Sequence, residues 1–203
     1  MTSPGISAAE QTTAARLGAW LFRYRGVLPV PFLLIPLLWP GRQTAVGWLI
    51  GALFIVAGEA CRMAGVAAAG TVTRRRSRDV QRLVTYGVFA WMRNPLYVGN
   101  FLIWLGFVIG SGVLWFLPIA IVLFAIEYTL IVRYEEGVLE SIFGAEYVAY
   151  KQRTSRWLPR RPRPGARDAG GHDWGEALRS EVSTFAQYAG LAVAFWIKAG
   201  LPR

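Results

Sequence analysis

The residues best suited to chemistry form two short groups on either side of a long apolar stretch: Arg93-Asn94-Pro95-Leu96-Tyr97 and Glu135-Glu136. A cation, an amide and a proline at the mouth of an apolar segment are costly unless they are paired or face water. Pro95 is therefore expected to open a helix whose first N–H groups point at something polar. Paired carboxylates attract an ammonium or sulfonium, and an arginine with helix N-terminal N–H groups attracts a carboxylate. Together they suit a zwitterionic or cationic small molecule. The alternative from spacing alone is that Glu135 and Glu136 pair with Arg133 and Arg93 in a solvated interface. The sequence shows no Ser-His-Asp set, no activated cysteine and no G-x-x-x-x-G-K-S/T loop. The single cysteine, Cys61, lies in an apolar segment, and the single histidine, His172, lies in a Gly-rich linker. That leaves no disulfide and no Cys-based metal motif, and His172 is expected to be a solvated loop residue.

Positioning these groups needs a membrane bundle. Of 203 residues, 54% are hydrophobic and 17% charged, with a net charge of +10, and the mean hydropathy is +0.36. Soluble domains are nearer a quarter charged. The expected fold is all-α, a polytopic transmembrane helix bundle of four core spans with a fifth, marginal C-terminal span and cytoplasmic interfacial helices. A polar tail, 1–16, lacks the basic start and apolar core of a signal peptide. A bundle unit, 17–160, contains spans at 17–39, 44–70, 96–110 and 113–132. A linker at 161–173 leads to a C-terminal helix at 174–203, whose residues 185–201 form the marginal span. Pro29, Pro31 and Pro36 should distort the first span, and Arg23 and Arg25 should snorkel from it. The small residues Gly65, Ala67, Ala68, Ala69 and Gly70 should allow close helix contact.

Between positions 96 and 132 the only charge is Glu127, and Gly110-Ser111-Gly112 breaks the stretch into a hairpin. The hairpin must return Arg93 and Glu135-Glu136 to one side of the membrane. Lys and Arg concentrate in 71–95 and 133–184, which places that side in the cytoplasm and marks the basic clusters as topology signals rather than nucleic-acid contacts. Residues 71–84 read as an amphipathic interfacial helix. After a break at Gly144, Tyr147 and Tyr150 share a helix face. Glu59 and Arg62, three apart in the second span, also share a face. They form either a mutual ion pair that makes the span insertable or a polar wall of the site.

Residues 86–100, the glutamate pair and the following Leu139, Phe143-Gly144, Tyr147 and Tyr150 resemble integral-membrane methyltransferases of the isoprenylcysteine carboxyl methyltransferase and phospholipid methyltransferase group. The signature of that group is R-H-P-x-Y, a helical hairpin and E-E. The resemblance covers roughly residues 50–160. It implies S-adenosylmethionine as cofactor, bound at the cytoplasmic end by Tyr86, Gly87, Arg93, Asn94, Pro95, Leu96, Tyr97 and Gly99. Glu135 and Glu136 would hold its amino-acid end. It further implies a lipophilic acceptor, the carboxylate or amine of a lipid or prenylated molecule, entering from the bilayer. Arg62 or Arg156 would orient an anionic acceptor, and Glu59 would tune Arg62. The departure is Asn94 where the group has histidine, because an amide cannot take up a proton near neutral pH. Two other readings stay open: a nicotinamide-dependent reductase resembling sterol reductases, and a non-catalytic module that binds anionic lipid.

Overall fold

A computed structural model describes residues 13–25, 29–70, 82–162 and 171–200. The helices are α1 (Thr13–Tyr24), α2 (Pro29–Leu38), α3 (Ala45–Ala69), α4 (Val88–Trp91), α5 (Pro95–Ser111), α6 (Leu117–Phe143), α7 (Ala145–Arg153) and α8 (Trp174–Gly200). A 3-10 turn, Leu114–Phe116, leads into α6. Among the described residues the only strand-like pairing is a bridge between Met92 and Ser155. The all-α expectation therefore holds.

Two stretches, Ala45–Ala69 and Leu114–Phe143, are long and apolar enough to cross a membrane, and Pro95–Ser111 is apolar but shorter. The second expected span is capped where the sequence signals it. Thr44 Oγ1 accepts the Gly47 N–H at 3.0 Å, and Gly70 ends α3 at φ +70°. The first expected span is not one helix but two, α1 and α2. A proline has no N–H to give the preceding turn, so Pro29 opens a new helix instead of continuing the old one. The helix that contains the expected fourth span runs on past Val132, because α6 continues to Phe143 and ends at Gly144, where φ is +53°. Residues 185–200, expected to form a marginal fifth span, lie in the second half of the continuous helix α8. The amphipathic stretch 71–84 and the linker 161–173 fall mostly outside the described residues.

The tightest packing joins α3 to α5 along a glycine seam. Gly51, Gly58 and Gly65 recur every seventh residue on α3, opposite Gly99 and Gly106 on α5. A Cβ on Gly58 would lie 2.5 Å from the Gly99 carbonyl oxygen, and one on Gly99 would lie 2.5 Å from the Gly58 carbonyl oxygen. Backbone, unlike a flexible side chain, cannot yield to that contact, so small residues are required. Gly99→Leu is expected to prevent recovery of monodisperse protein on size exclusion after detergent extraction. Gly137→Ala, where nothing stands within 4 Å of the new Cβ, is expected to elute unchanged. On the other face of α5, Trp104 packs with Phe124, Tyr128 and Ile131 of α6. The Phe124 and Tyr128 rings stack at 4.1 Å.

Candidate functional site

Pro95 stands at the start of α5 and Asn94 caps it. The chain that follows α7 runs back alongside this start. The Arg93 N–H donates to the Ser155 carbonyl at 2.8 Å and the Arg160 N–H to the Trp91 carbonyl at 3.0 Å. Asn94 Nδ2 donates to the Arg156 carbonyl at 3.0 Å. The Arg93 guanidinium donates through Nη1 to the carbonyls of Lys151 (2.9 Å) and Thr154 (2.5 Å). These carbonyls lie at the C-terminus of α7, where helix acceptors lack intrahelical partners and the dipole favours a cation.

The other edge of Arg93 meets Glu136, with Nε at 3.1 Å and Nη2 at 2.8 Å from Oε1. Arg156 grips the same carboxylate, with Nη2 at 2.5 Å from Oε2 and Nε at 3.1 Å from Oε1. Arg93, just ahead of α5, thus meets Glu136 in the last third of α6, as the hairpin predicts. Glu136 is buried, and guanidinium groups engage both of its oxygens. Arg133, offered as a partner from spacing, is exposed, and Arg156 takes that place.

Glu135 has different neighbours. Its carboxylate lies near the Tyr97 hydroxyl and 3.7 Å from Nη1 of Arg25 at the end of α1. The Arg25 guanidinium lies over the Phe22 ring at 3.9 Å. From sequence, Arg25 is expected only to snorkel from the first span. The signal that could have found it is that Arg25 is a charge at the edge of an apolar helix, where a partner is expected.

A second polar cluster sits deeper, between α3, α5, α6 and α8. Arg62 Nη2 donates to both oxygens of Glu181 at 3.1 and 3.0 Å. Its Nη1 donates to Asn100 Oδ1, and its Nε lies 3.4 Å from Glu59 Oε2. The Tyr188 hydroxyl donates to Glu59 at 3.1 Å. Glu59 and Arg62 pair with each other, within a polar cluster that also takes in Asn100, Glu181 and Tyr188. The cluster leads toward Glu135: Asn100 Nδ2 donates to the Tyr128 hydroxyl at 3.3 Å, and the Tyr128 ring lies 4.7 Å from that of Tyr97.

The remaining residues of the motif stretch face α3. The Tyr86 hydroxyl donates to the Ala68 carbonyl at 2.6 Å. Gly87 adopts φ +59°, and a Cβ there would meet His172 Nε2 at 2.5 Å. Leu96 packs on Val66 and Ala67, the Pro95 carbonyl accepts the Cys61 thiol at 3.3 Å, and Gly99 belongs to the glycine seam. The structure thus gathers Arg93, Asn94, Glu136 and Arg156 at one point, and Tyr97 and Glu135 beside it. It keeps Tyr86, Gly87, Leu96 and Gly99 on the α3 side. His172 is exposed, as expected, and stacks on Trp174 at 6.0 Å.

Tyr147 and Tyr150 of α7 are both buried. Burial raises both hydroxyl pKa values above the ordinary phenolic range, and the Glu136 carboxylate adds to the rise at Tyr147. Both stay protonated through neutral pH. The Tyr150 hydroxyl uses its proton to tie α7 to the Phe89 carbonyl at 2.7 Å. Tyr150→Phe is expected to cost about 1 kcal/mol of stability, read as a modest fall in the thermal midpoint in detergent.

The phospholipid methyltransferase family model matches residues 46–146. Protein-S-isoprenylcysteine O-methyltransferase of Homo sapiens is 35% identical over 157 residues, covering 72% of this chain and 50% of the relative. The protein of the same name in Tribolium castaneum is 29% identical over 165 residues, covering 76% and 53%. A probable protein-S-isoprenylcysteine O-methyltransferase of Oryza sativa subsp. indica is 34% identical over 118 residues, covering 54% and 60%. The chain thus spans 50 to 60% of the length of these curated relatives. The matched family region contains Glu59, Arg62, Arg93, Asn94, Tyr97, Glu135 and Glu136, while Arg25, Arg156 and Glu181 lie outside it. On these matches, and on the Arg93–Glu136 junction that its signature residues build, the chain belongs to the isoprenylcysteine and phospholipid methyltransferase group.

Proposed function

We propose that the protein is a multi-pass membrane methyltransferase that uses S-adenosylmethionine to methylate the carboxylate of a lipophilic acceptor at the cytoplasmic face. The observation that carries this reading is Glu135, a carboxylate set between the Tyr97 hydroxyl and the Arg25 guanidinium, beside the start of α5. An ammonium and a carboxylate at one end of a ligand need an anion and a cation close together, and Glu135 and Arg25 supply them. That donor set fits the amino-acid end of S-adenosylmethionine. When bound, the cofactor supplies an electrophilic methyl group on a sulfonium.

The chain's own residues do the rest. Glu135 and Tyr97 bind the cationic end. Glu136 contributes indirectly: it fixes Arg93 and Arg156, and so holds the start of α5 against the 154–160 segment. Arg62, linked to Tyr97 through Asn100 and Tyr128, orients the acceptor carboxylate, with Glu59 holding its guanidinium. Apolar walls strip water from that carboxylate and hold it in place, which contributes proximity and desolvation to the rate. Asn94 fits a carboxylate acceptor, which is already ionised and needs no base. The lysine and arginine distribution supports the cytoplasmic orientation, and the acceptor enters from the surrounding bilayer lipid.

The test is transfer of labelled methyl from S-adenosylmethionine to S-farnesyl-N-acetylcysteine by protein in nanodiscs. The expected product is a base-labile methyl ester. Label appearing only on lipid amines, or on nothing in protein that binds the cofactor, would overturn the carboxylate assignment.

A further inference from the structure

The hydrogen bonds that link Arg62 to the Tyr97 side of the bundle leave a buried proton unused. Asn100 of α5 spends both ends of its amide: Oδ1 accepts from Arg62 Nη1, and Nδ2 donates to the Tyr128 hydroxyl at 3.3 Å. The Tyr128 hydroxyl accepts that bond through a lone pair, so its own proton remains to be donated. Among the described residues nothing takes it. Oε1 of the adjacent Glu127 does not, since it is buried and has no hydrogen-bond partner. Arg62 Nη1 likewise carries two N–H groups, of which Asn100 takes one.

Packing does not explain this hydroxyl. The Tyr128 ring stacks on Phe124 and packs with Trp104 and Ile131, contacts that phenylalanine makes equally well. Holding Asn100 accounts for one lone pair and leaves the proton unaccounted for. Tyr128 is only 2% exposed, so bulk water does not meet the need, and a buried donor without a partner is costly to the fold. Its place in the bundle is equally specific. Asn100 lies three residues after Tyr97, and Tyr128 lies seven before Glu135. Each therefore shares a helix face with a residue of the proposed cofactor site, and the Tyr97 and Tyr128 rings are 4.7 Å apart.

We propose that Tyr128 is a substrate-binding residue: its hydroxyl, held by Asn100, donates to the carboxylate of the lipophilic methyl acceptor, alongside Arg62. This rests on the carboxylate reading of Arg62 given above. A carboxylate suits the site because it accepts hydrogen bonds through both oxygens and brings no proton of its own. An ammonium head would set donors against donors. Tyr128 stands between the residues assigned to the two ligands, so a carboxylate on its hydroxyl lies beside the cofactor site. Phe32, Leu33 and Phe101, partly buried and packed against the Tyr128 cluster, give the apolar chain of the methyl acceptor a surface to lie on.

The experiment measures binding of S-farnesyl-N-acetylcysteine and of its methyl ester to protein in nanodiscs by intrinsic tryptophan fluorescence, with affinities expressed per mole fraction in the bilayer. Tyr128→Phe keeps the ring and removes the hydroxyl. It is expected to weaken binding of the acid about tenfold, the effect of one hydrogen bond to a charged group, and to leave binding of the ester within about twofold. A purely structural hydroxyl would move acid and ester together, and unchanged binding of the acid would mean that no carboxylate meets it; either result overturns the proposal. The unaltered protein gives a second readout that needs no variant. It should bind the acid about tenfold more tightly than the ester, and equal affinities would overturn the proposal. Methyl transfer by the unaltered protein separates the two claims. If the ester forms while Tyr128→Phe binds the acid with full affinity, only the role of Tyr128 fails. If no ester forms but the acid is bound selectively through Tyr128, the methyltransferase reading fails and the carboxylate site stands.

Discussion

Glu136→Gln should release the cytoplasmic end of the bundle. The substitution leaves the largely buried Arg93 and the half-buried Arg156 without the carboxylate that now bridges them at 2.8 and 2.5 Å. Removing one partner of a buried ion pair costs roughly 3–5 kcal/mol, because the remaining charge keeps its desolvation penalty. The loss should propagate. Arg93 also holds the Lys151 and Thr154 carbonyls, and Arg156 offers its own carbonyl to Asn94. In limited proteolysis of detergent-solubilised protein, the variant should be cut between 154 and 162 at a protease concentration that spares the unaltered protein. A fall in the thermal midpoint of several degrees should accompany this. Equal resistance would mean that Glu136 is not the clasp the geometry describes.

Glu135→Gln should behave in the opposite way, keeping the fold and losing the ligand. Its carboxylate lies 3.7 Å from the partly exposed Arg25 and near the Tyr97 hydroxyl, a donor that an amide oxygen can also take. Little stability depends on its charge. A ligand ammonium does depend on it, and replacing a charge-assisted bond by a neutral one should weaken S-adenosylhomocysteine binding by one to two orders of magnitude. The thermal midpoint should move little. If the two variants exchanged phenotypes, the roles of the paired glutamates would be reversed.

The contrast between adjacent glutamates also shows where sequence reasoning reaches and where it stops. Helix counting across the Gly110-Ser111-Gly112 break brings Arg93 to the glutamate pair with no knowledge of side-chain packing, and the structure joins them. Counting cannot say which glutamate faces which partner, since adjacent positions on a helix point in different directions and the partners come from elsewhere. Arg156 lies beyond α7 and Arg25 directly follows α1, whose separation from α2 replaces the single first helix. Glycine illustrates the same limit differently. Gly99 lies inside the motif stretch and reads as part of a ligand site, yet it serves the seam with Gly58. The seven-residue recurrence of Gly51, Gly58 and Gly65 was available as a signal for that seam. Glu59 and Arg62 stand out in the sequence as charges within an apolar span. Their third partner, Glu181, lies on a helix that local spacing could not bring to them, because a non-local ion pair leaves no periodic trace in sequence.

The most direct test of the account is calorimetric titration of the purified protein in nanodiscs with S-adenosylhomocysteine and, separately, with NADPH, repeated on Glu135→Gln. The account predicts saturable one-site binding of S-adenosylhomocysteine that falls by one to two orders of magnitude in the variant, and no binding of NADPH. Saturable NADPH binding with no response to S-adenosylhomocysteine would contradict it and favour a reductase.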